Sequence, residues 1–103
     1  PESQRLIGRA TMRMFVTPSS VAGSSRALAW DTMRPALSCG SLLSAEAFGH
    51  TGFTGTSLWI DPGQDRYVVL LTNRVHPQAG ANDAIQQVRR AVHDAVIRKW
   101  GRT

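Results

Sequence analysis

Residues 48–73 read FGHTGFTGTSLWIDPGQDRYVVLLTN, and the parsing of this stretch decides the fold. Thr54 to Ile60 sets Thr54, Thr56, Leu58 and Ile60 against Gly55, Ser57 and Trp59, so the two faces of a strand here differ in polarity and bulk. Tyr67 to Leu71 (YVVLL) is a continuous apolar run, the pattern of a central strand covered on both faces. Between them, Asp61-Pro62-Gly63-Gln64-Asp65 has strong turn chemistry, since Pro62 presets φ and Gly63 tolerates positive φ. An antiparallel hairpin follows, with strands expected over about residues 53–60 and 66–73. Immediately before it, Gly49-His50-Thr51-Gly52-Phe53 is a small, polar, glycine-flanked segment that runs into the first strand.

Working outward, the C-terminal side predicts a helix over about residues 82–100. Asn82 is a suitable N-cap, and Asp83 places negative charge in the first turn. Ile85, Val88, Val92 and Val96, with Ala84, Ala91 and Ala95, form an apolar stripe expected to pack on the sheet. Gln86, Arg89, Arg90 and His93 then fall on the opposite side, with Asp94 placed to pair with Arg90 or Arg98. Arg98, Lys99 and Gly101 supply a basic, glycine-terminated end. On the N-terminal side, Leu6, Ile7, Ala10, Met14 and Phe15 recur near a helical period and predict a helix over about 3–15, ended by Pro18 and a Ser/Gly-rich stretch. RALAW, residues 26–30, is a short candidate strand, and residues 31–47 read as an irregular loop. The fold class expected is α/β in the α+β sense: antiparallel strands with a packed C-terminal helix.

Composition narrows the function. With 103 residues and ordinary apolar and charged content, the chain is globular in character. No apolar run approaches the roughly 20 residues needed to span a bilayer. The net charge of +5 is carried almost wholly by arginines spread from Arg5 to Arg102, a solvated surface rather than a nucleic-acid face. The lone Cys39 has no internal disulfide partner, and neither it nor His76 and His93 has metal-ligand spacing. No metal or organic cofactor is expected. Localisation is left open. His76 and His93 read as surface residues, and Trp59 and Trp100 as core and edge packing.

Residues 49–53 carry the chemistry. Acyl transfer needs preorganised backbone N–H donors where the oxyanion develops, and a glycine at Gly52 lets an acyl substrate lie close against the backbone. Gly-His-Thr-Gly resembles the third motif, Lys/His-Thr/Ser-Gly, of the serine hydrolases related to class C β-lactamases and D-Ala-D-Ala peptidases, the penicillin-binding-protein-like superfamily. The resemblance extends over nearly the whole chain. RATMRMFVTP and RALAWDT are similar to the family's helix and short strand before the motif, with Ala29 where a Leu-Gly-Trp segment has Gly. After the motif come a strand ending in an acidic-proline turn, an aliphatic strand ending in Asn73, and a closing helix.

The resemblance implies a C-terminal portion, residues 1–103, of a β-lactamase/transpeptidase-like fold. It implies acyl transfer through a serine ester, on a small-molecule ester, amide or D-peptide substrate. His50, Thr51 and Gly52 would then be catalytic, the Phe53 N–H an oxyanion donor, and Arg74 and Asn82 candidates for recognising a substrate anion. His50, in place of Lys, leans away from β-lactam hydrolysis and toward esterases and peptidases. By strand alternation alone, Thr51 would face away from His50. The family's Ser-x-x-Lys cannot occur, because Val96 stands three places before the single Lys99, and Tyr-x-Asn is absent because Val68 and Val69 follow Tyr67. The nucleophile, its lysine and its tyrosine are therefore expected upstream of Pro1, in a missing N-terminal part of the same domain, and the segment alone is expected to be inactive. The rival reading is a small basic binding module whose C-terminal helix presents Arg89, Arg90 and Arg98 to an acidic partner.

Overall fold

The computed structural model describes residues 4–33, 38–78 and 82–101. Its elements are α1 (Arg9–Val16), β1 (Asp31–Thr32), β2 (Phe48–Gly52), β3 (Thr56–Asp61), β4 (Arg66–Leu70) and α2 (Asn82–Trp100). The strands form one antiparallel sheet in the order β1-β2-β3-β4, an uncrossed meander. Register pairs Gly49 with Trp59, His50 with Leu58 and Thr51 with Ser57, then Trp59 with Val68 and Ile60 with Tyr67.

Because side chains alternate along a strand, this register sorts the sheet into two faces. Gly49, Thr51, Ser57, Trp59, Asp61 and Val68 share one, and α2 lies over it. Trp59 and Ile97 pack there with Cys39, Leu43 and Ala47 from the loop before β2. Gly49 is required by that packing, since a Cβ would land on the Trp59 indole and the Leu58 carbonyl. Phe48, His50, Gly52, Leu58, Ile60, Tyr67 and Val69 share the other face, where Tyr67 and Val69 are exposed.

Two carboxylates fasten the loop to this scaffold. Asp61 is buried and accepts from the Ser44 amide at 2.7 Å, from the Ser44 hydroxyl, and from the Gly63 and Gln64 amides at 3.0 and 3.3 Å. Asp94 accepts from the amides of Ser41 and Leu42 at 2.9 and 3.2 Å. The C-terminus of α2 is held by Arg66, whose Nε and Nη2 donate to the Trp100 carbonyl at 2.9 and 2.6 Å.

The structure corrects several expectations. The stripe of α2 that meets the sheet is Ile85, Arg89, His93 and Ile97, not the valine and alanine stripe. Val88 remains 45% exposed, and Ala84, Ala91 and Ala95 are also exposed. His93, expected at the surface, is 0% exposed, and Arg89 only 3%. Burial holds the His93 imidazole below its ordinary value, an effect reinforced by the nearby Arg89 charge and opposed by the Arg89 carbonyl and Asp94.

β4 is not covered on both faces: it is the last strand of the sheet, and its outward Tyr67 is 73% exposed. Residues 26–30 form a turn, not a strand. Ala29 sits at φ 64°, the Ala27 amide bonds the Trp30 carbonyl, and regular pairing begins only at Asp31. The predicted strand over 53–60 divides differently, because Phe53, Thr54 and Gly55 turn the chain between β2 and β3. The N-terminal helix covers eight residues and buries none of them. The expected core and edge roles of Trp59 and Trp100 hold, at 2% and 54% exposure. Among the described residues, no helix is long and apolar enough to cross a membrane.

Candidate active site

Gly49 to Gly52 form most of β2 itself, so the motif is a paired strand that ends at a tight turn. His50 and Gly52 fall on the face away from α2, and His50 is exposed. Thr51 falls on the helix side, opposite Ser57, as alternation requires. The strand therefore brings His50 and Gly52 together and sends the Thr51 hydroxyl the other way.

The His50 ring is held at both nitrogens. Arg26 Nη1 lies 3.0 Å from Nε2, and Nδ1 lies 2.7 Å from the Thr51 carbonyl. A guanidinium only donates, so Nε2 is the acceptor and Nδ1 carries the proton toward Thr51 O. Arg26 is in turn 3.8 Å from Asp31, whose Oδ1 accepts from the Ser25 hydroxyl at 3.0 Å. Sequence reasoning missed Arg26, which stands 24 residues before His50. It reaches the motif because it bridges to Asp31, and Asp31 pairs with Gly49. The only sequence signal was the RALAW segment itself, parsed as a strand rather than a turn.

Behind the motif, the β2–β3 turn is gripped by side chains at four carbonyls. Arg89 Nη2 donates to Gly52 O at 2.9 Å and to Thr56 O at 3.0 Å. Arg74 Nη1 donates to Phe53 O at 2.6 Å, with its guanidinium 4.8 Å from the centre of the Phe53 ring. Thr72 Oγ1 donates to Gly55 O at 2.7 Å. Gly55 has φ 108°, and a Cβ there would collide with Thr72 and Arg74. A Cβ on Gly52 would collide with the Thr56 hydroxyl, which fills the place beside this glycine.

Arg89 was assigned to the solvent side of the helix; in the structure its burial, and secondarily the charge of Arg74, lowers its affinity for its proton. It remains a cation, as arginine does in proteins. Residues 85, 89, 93 and 97 recur every fourth position, an isoleucine-bounded row that could have been read as the buried face had the turn's carbonyls been counted as needing donors. Arg74 is committed to the turn. Asn82, the first residue of α2, lines a shallow depression with Asp83, Gln86, Gln87 and Arg90, none of which belongs to the motif. Burial of Arg89 also removes one of the three cations on which the binding-module reading relied.

This architecture has relatives. The sequence profile described as Beta-lactamase matches residues 2–93. The chain belongs to the Beta-lactamase family. Two proteins named "Putative D-alanyl-D-alanine carboxypeptidase", from Escherichia coli K12 and Escherichia coli O157:H7, are each 38% identical over 77 residues. Each match covers 70% of this chain and 17% of the relative, so the chain spans only a small part of the curated family members it matches. A crystal structure of a beta-lactamase from Mycobacterium bovis superposes with a TM-score of 0.76 at 19% identity, over 96% of this chain and 40% of that one. At that identity the likeness concerns the fold, and it agrees with the antiparallel sheet and C-terminal helix seen here. The Beta-lactamase family is one of serine hydrolases.

Proposed function

We propose that this chain is the motif-bearing C-terminal part of a serine hydrolase that transfers acyl groups through a serine ester, acting on an ester, an amide or a D-peptide. The nucleophilic serine, its lysine and its tyrosine belong to a preceding part of the same domain. The serine oxygen adds to the acyl carbonyl as its proton passes to the lysine–tyrosine pair, the carbonyl electrons move onto oxygen, and the Phe53 N–H meets that oxyanion. Collapse expels the leaving group, which takes that proton, and water then hydrolyses the acyl-enzyme and returns a proton to the serine. His50 stands beside this path, and because its one lone pair at Nε2 accepts from Arg26, it exchanges a proton with substrate only when substrate displaces that contact. Gly52 has no Cβ, which lets the Thr56 hydroxyl lie against the motif strand. Thr51 acts through the backbone, by holding His50 Nδ1.

The observation that supports this reading best is the split character of β2. Its His50 and Gly52 lie together on the uncovered face, while the turn beyond them is anchored from behind. A merely structural glycine turn has no need of an exposed histidine held at both nitrogens. The named carboxypeptidase relatives favour a D-peptide among the substrate classes.

The test is His50→Ala in the full-length enzyme. It should slow acylation by an aryl ester more than about tenfold, within the range for loss of a general acid or base, with unfolding unchanged. Wild-type turnover in that variant would refute the catalytic reading of the motif.

A further inference from the structure

The turn that follows the motif contains more donors than a hairpin needs, and the strongest of them comes from the buried face of α2. A trans peptide is planar, so the carbonyl of one residue and the N–H of the next point in opposite directions. Gly52 O receives the Arg89 guanidinium at 2.9 Å and the Gly55 amide at 3.1 Å, both from one side. The Phe53 N–H, on the far end of the same peptide plane, is thereby aimed away from Arg89. The next carbonyl, Phe53 O, is held separately by Arg74 at 2.6 Å, which fixes the peptide plane that follows. Arg89 is itself immobilised. It is 3% exposed, bridges Gly52 O and Thr56 O across the neck of the turn, and takes Gln86 Oε1 at 3.4 Å.

We infer that Arg89 is the positioning residue of the oxyanion site: through the Gly52–Phe53 peptide it sets the direction of the Phe53 N–H. This rests on the reading of Phe53 given above, and deepens it. Arg89 touches neither substrate nor nucleophile. Its contribution is orientation, together with a fixed positive charge that pulls electron density toward Gly52 O and makes the attached N–H a better donor. A cation buried one peptide unit behind the oxyanion also favours negative charge there, and it does so more in the transition state than in the ground state. One terminal nitrogen, Nη2, donates to both Gly52 O and Thr56 O, and Nη1 of the same planar group reaches Gln86 Oε1, so the guanidinium is fixed in orientation as a point charge would not be.

The experiment compares Arg89→Lys, Arg89→Met and His50→Ala in the full-length enzyme, with Gln87→Ala on the exposed side of α2 as control. An aryl ester is the substrate and phenylboronic acid the tetrahedral mimic. Misaiming one oxyanion donor should lower kcat by about tenfold to a hundredfold in Arg89→Met, somewhat less than outright removal of a donor. KM should change by less than about threefold, because the ground-state carbonyl needs the donor less. Arg89→Lys should recover part of kcat. Affinity for phenylboronic acid should fall in step with kcat/KM across the series, and the Phe53 amide resonance should shift in Arg89→Lys, a readout available even if Arg89→Met fails to fold. Wild-type kcat and boronate affinity in folded Arg89→Lys, with an unmoved Phe53 amide, would overturn the inference while His50→Ala still slowed acylation. If His50→Ala and the Arg89 variants all kept wild-type rates, the proposed function itself would fall.

Discussion

The two faces of the sheet are made from alternate residues of the same strands, yet they are built to different ends. The face under α2 is closed. Trp59 lies on Gly49, Asp61 satisfies four donors, and Arg89 and His93 are buried between helix and sheet. The other face carries His50 and Gly52 in front of a largely apolar surface of Leu58, Ile60, Tyr67 and Val69. On this face Phe48 is buried with Trp30 against it, Leu58 and Ile60 are half-buried, and Tyr67 and Val69 are exposed. The closed face therefore determines where the motif stands, and the other face carries the residues proposed for its chemistry. Substitutions on the first should act on stability, with Arg89 as the proposed exception, and those at His50 and Gly52 on activity.

The hardest test of that division is Trp59→Ala. Removing an indole that is 2% exposed and stacked over Gly49 leaves a cavity that the flanking Cys39, Leu43 and Ile97 cannot fill. The expected loss is ~3–5 kcal/mol of unfolding free energy, measured by urea denaturation of the full-length protein. A loss below about 1 kcal/mol, the size of an ordinary surface effect, would show that α2 does not close this face.

His93 provides a subtler test. Its folded affinity for a proton lies below the ordinary value near 6.5, because burial opposes the charged form. The unfolded state therefore binds the proton more tightly. The stabilisation is complete above pH 6.5 and is lost as pH falls toward and through the folded value. Between about pH 6.5 and 5, before most carboxylates titrate, the urea midpoint should decline, and His93→Gln should remove that part of the decline. Equal slopes for the two proteins would mean that the imidazole is already solvated, and the closed face open.

The smallest effect is expected away from both faces, at the turn that brings Arg26 to His50. Ala29 adopts a left-handed conformation at φ 64°, which costs a residue with a Cβ roughly 1–2 kcal/mol. Glycine relieves this cost but loses more chain entropy on folding. Ala29→Gly should therefore stabilise by only ~0.5–1 kcal/mol, visible as a higher urea midpoint at unchanged slope. Destabilisation would mean that the turn, and with it the Arg26 contact, is not as described.

Much of this was legible in the chain. The hairpin over Asp61–Asp65 was legible from its turn residues, though the left-handed residue is Asp65 (φ 52°) and not Gly63, and the bounds of α2 follow from Asn82, Asp83 and Gly101, because turns and caps are local chemistry. The motif was legible because Gly-His-Thr-Gly is a short, contiguous signature. The facing of α2 was not. Ranking side chains by hydropathy puts Val88 and Ala91 inward and Arg89 and His93 outward, but the β2–β3 turn presents Gly52 O and Thr56 O to the helix, where Arg89 donates to both, and His93 Nδ1 bonds the Arg89 carbonyl.

β4 was misjudged for a related reason. YVVLL is equally apolar whether or not a further layer covers it, and the sequence of a strand does not say whether its neighbours lie within the same stretch of chain. The sequence by itself determined the hairpin over Asp61–Asp65 and the closing helix, both set by residues within a few positions of one another. The tertiary structure decided that residues 26–30 turn, that the motif is a strand of its own, which face each element presents, that Arg26 reaches His50, and that Arg89 holds Gly52, since those contacts join residues 24 and 37 positions apart.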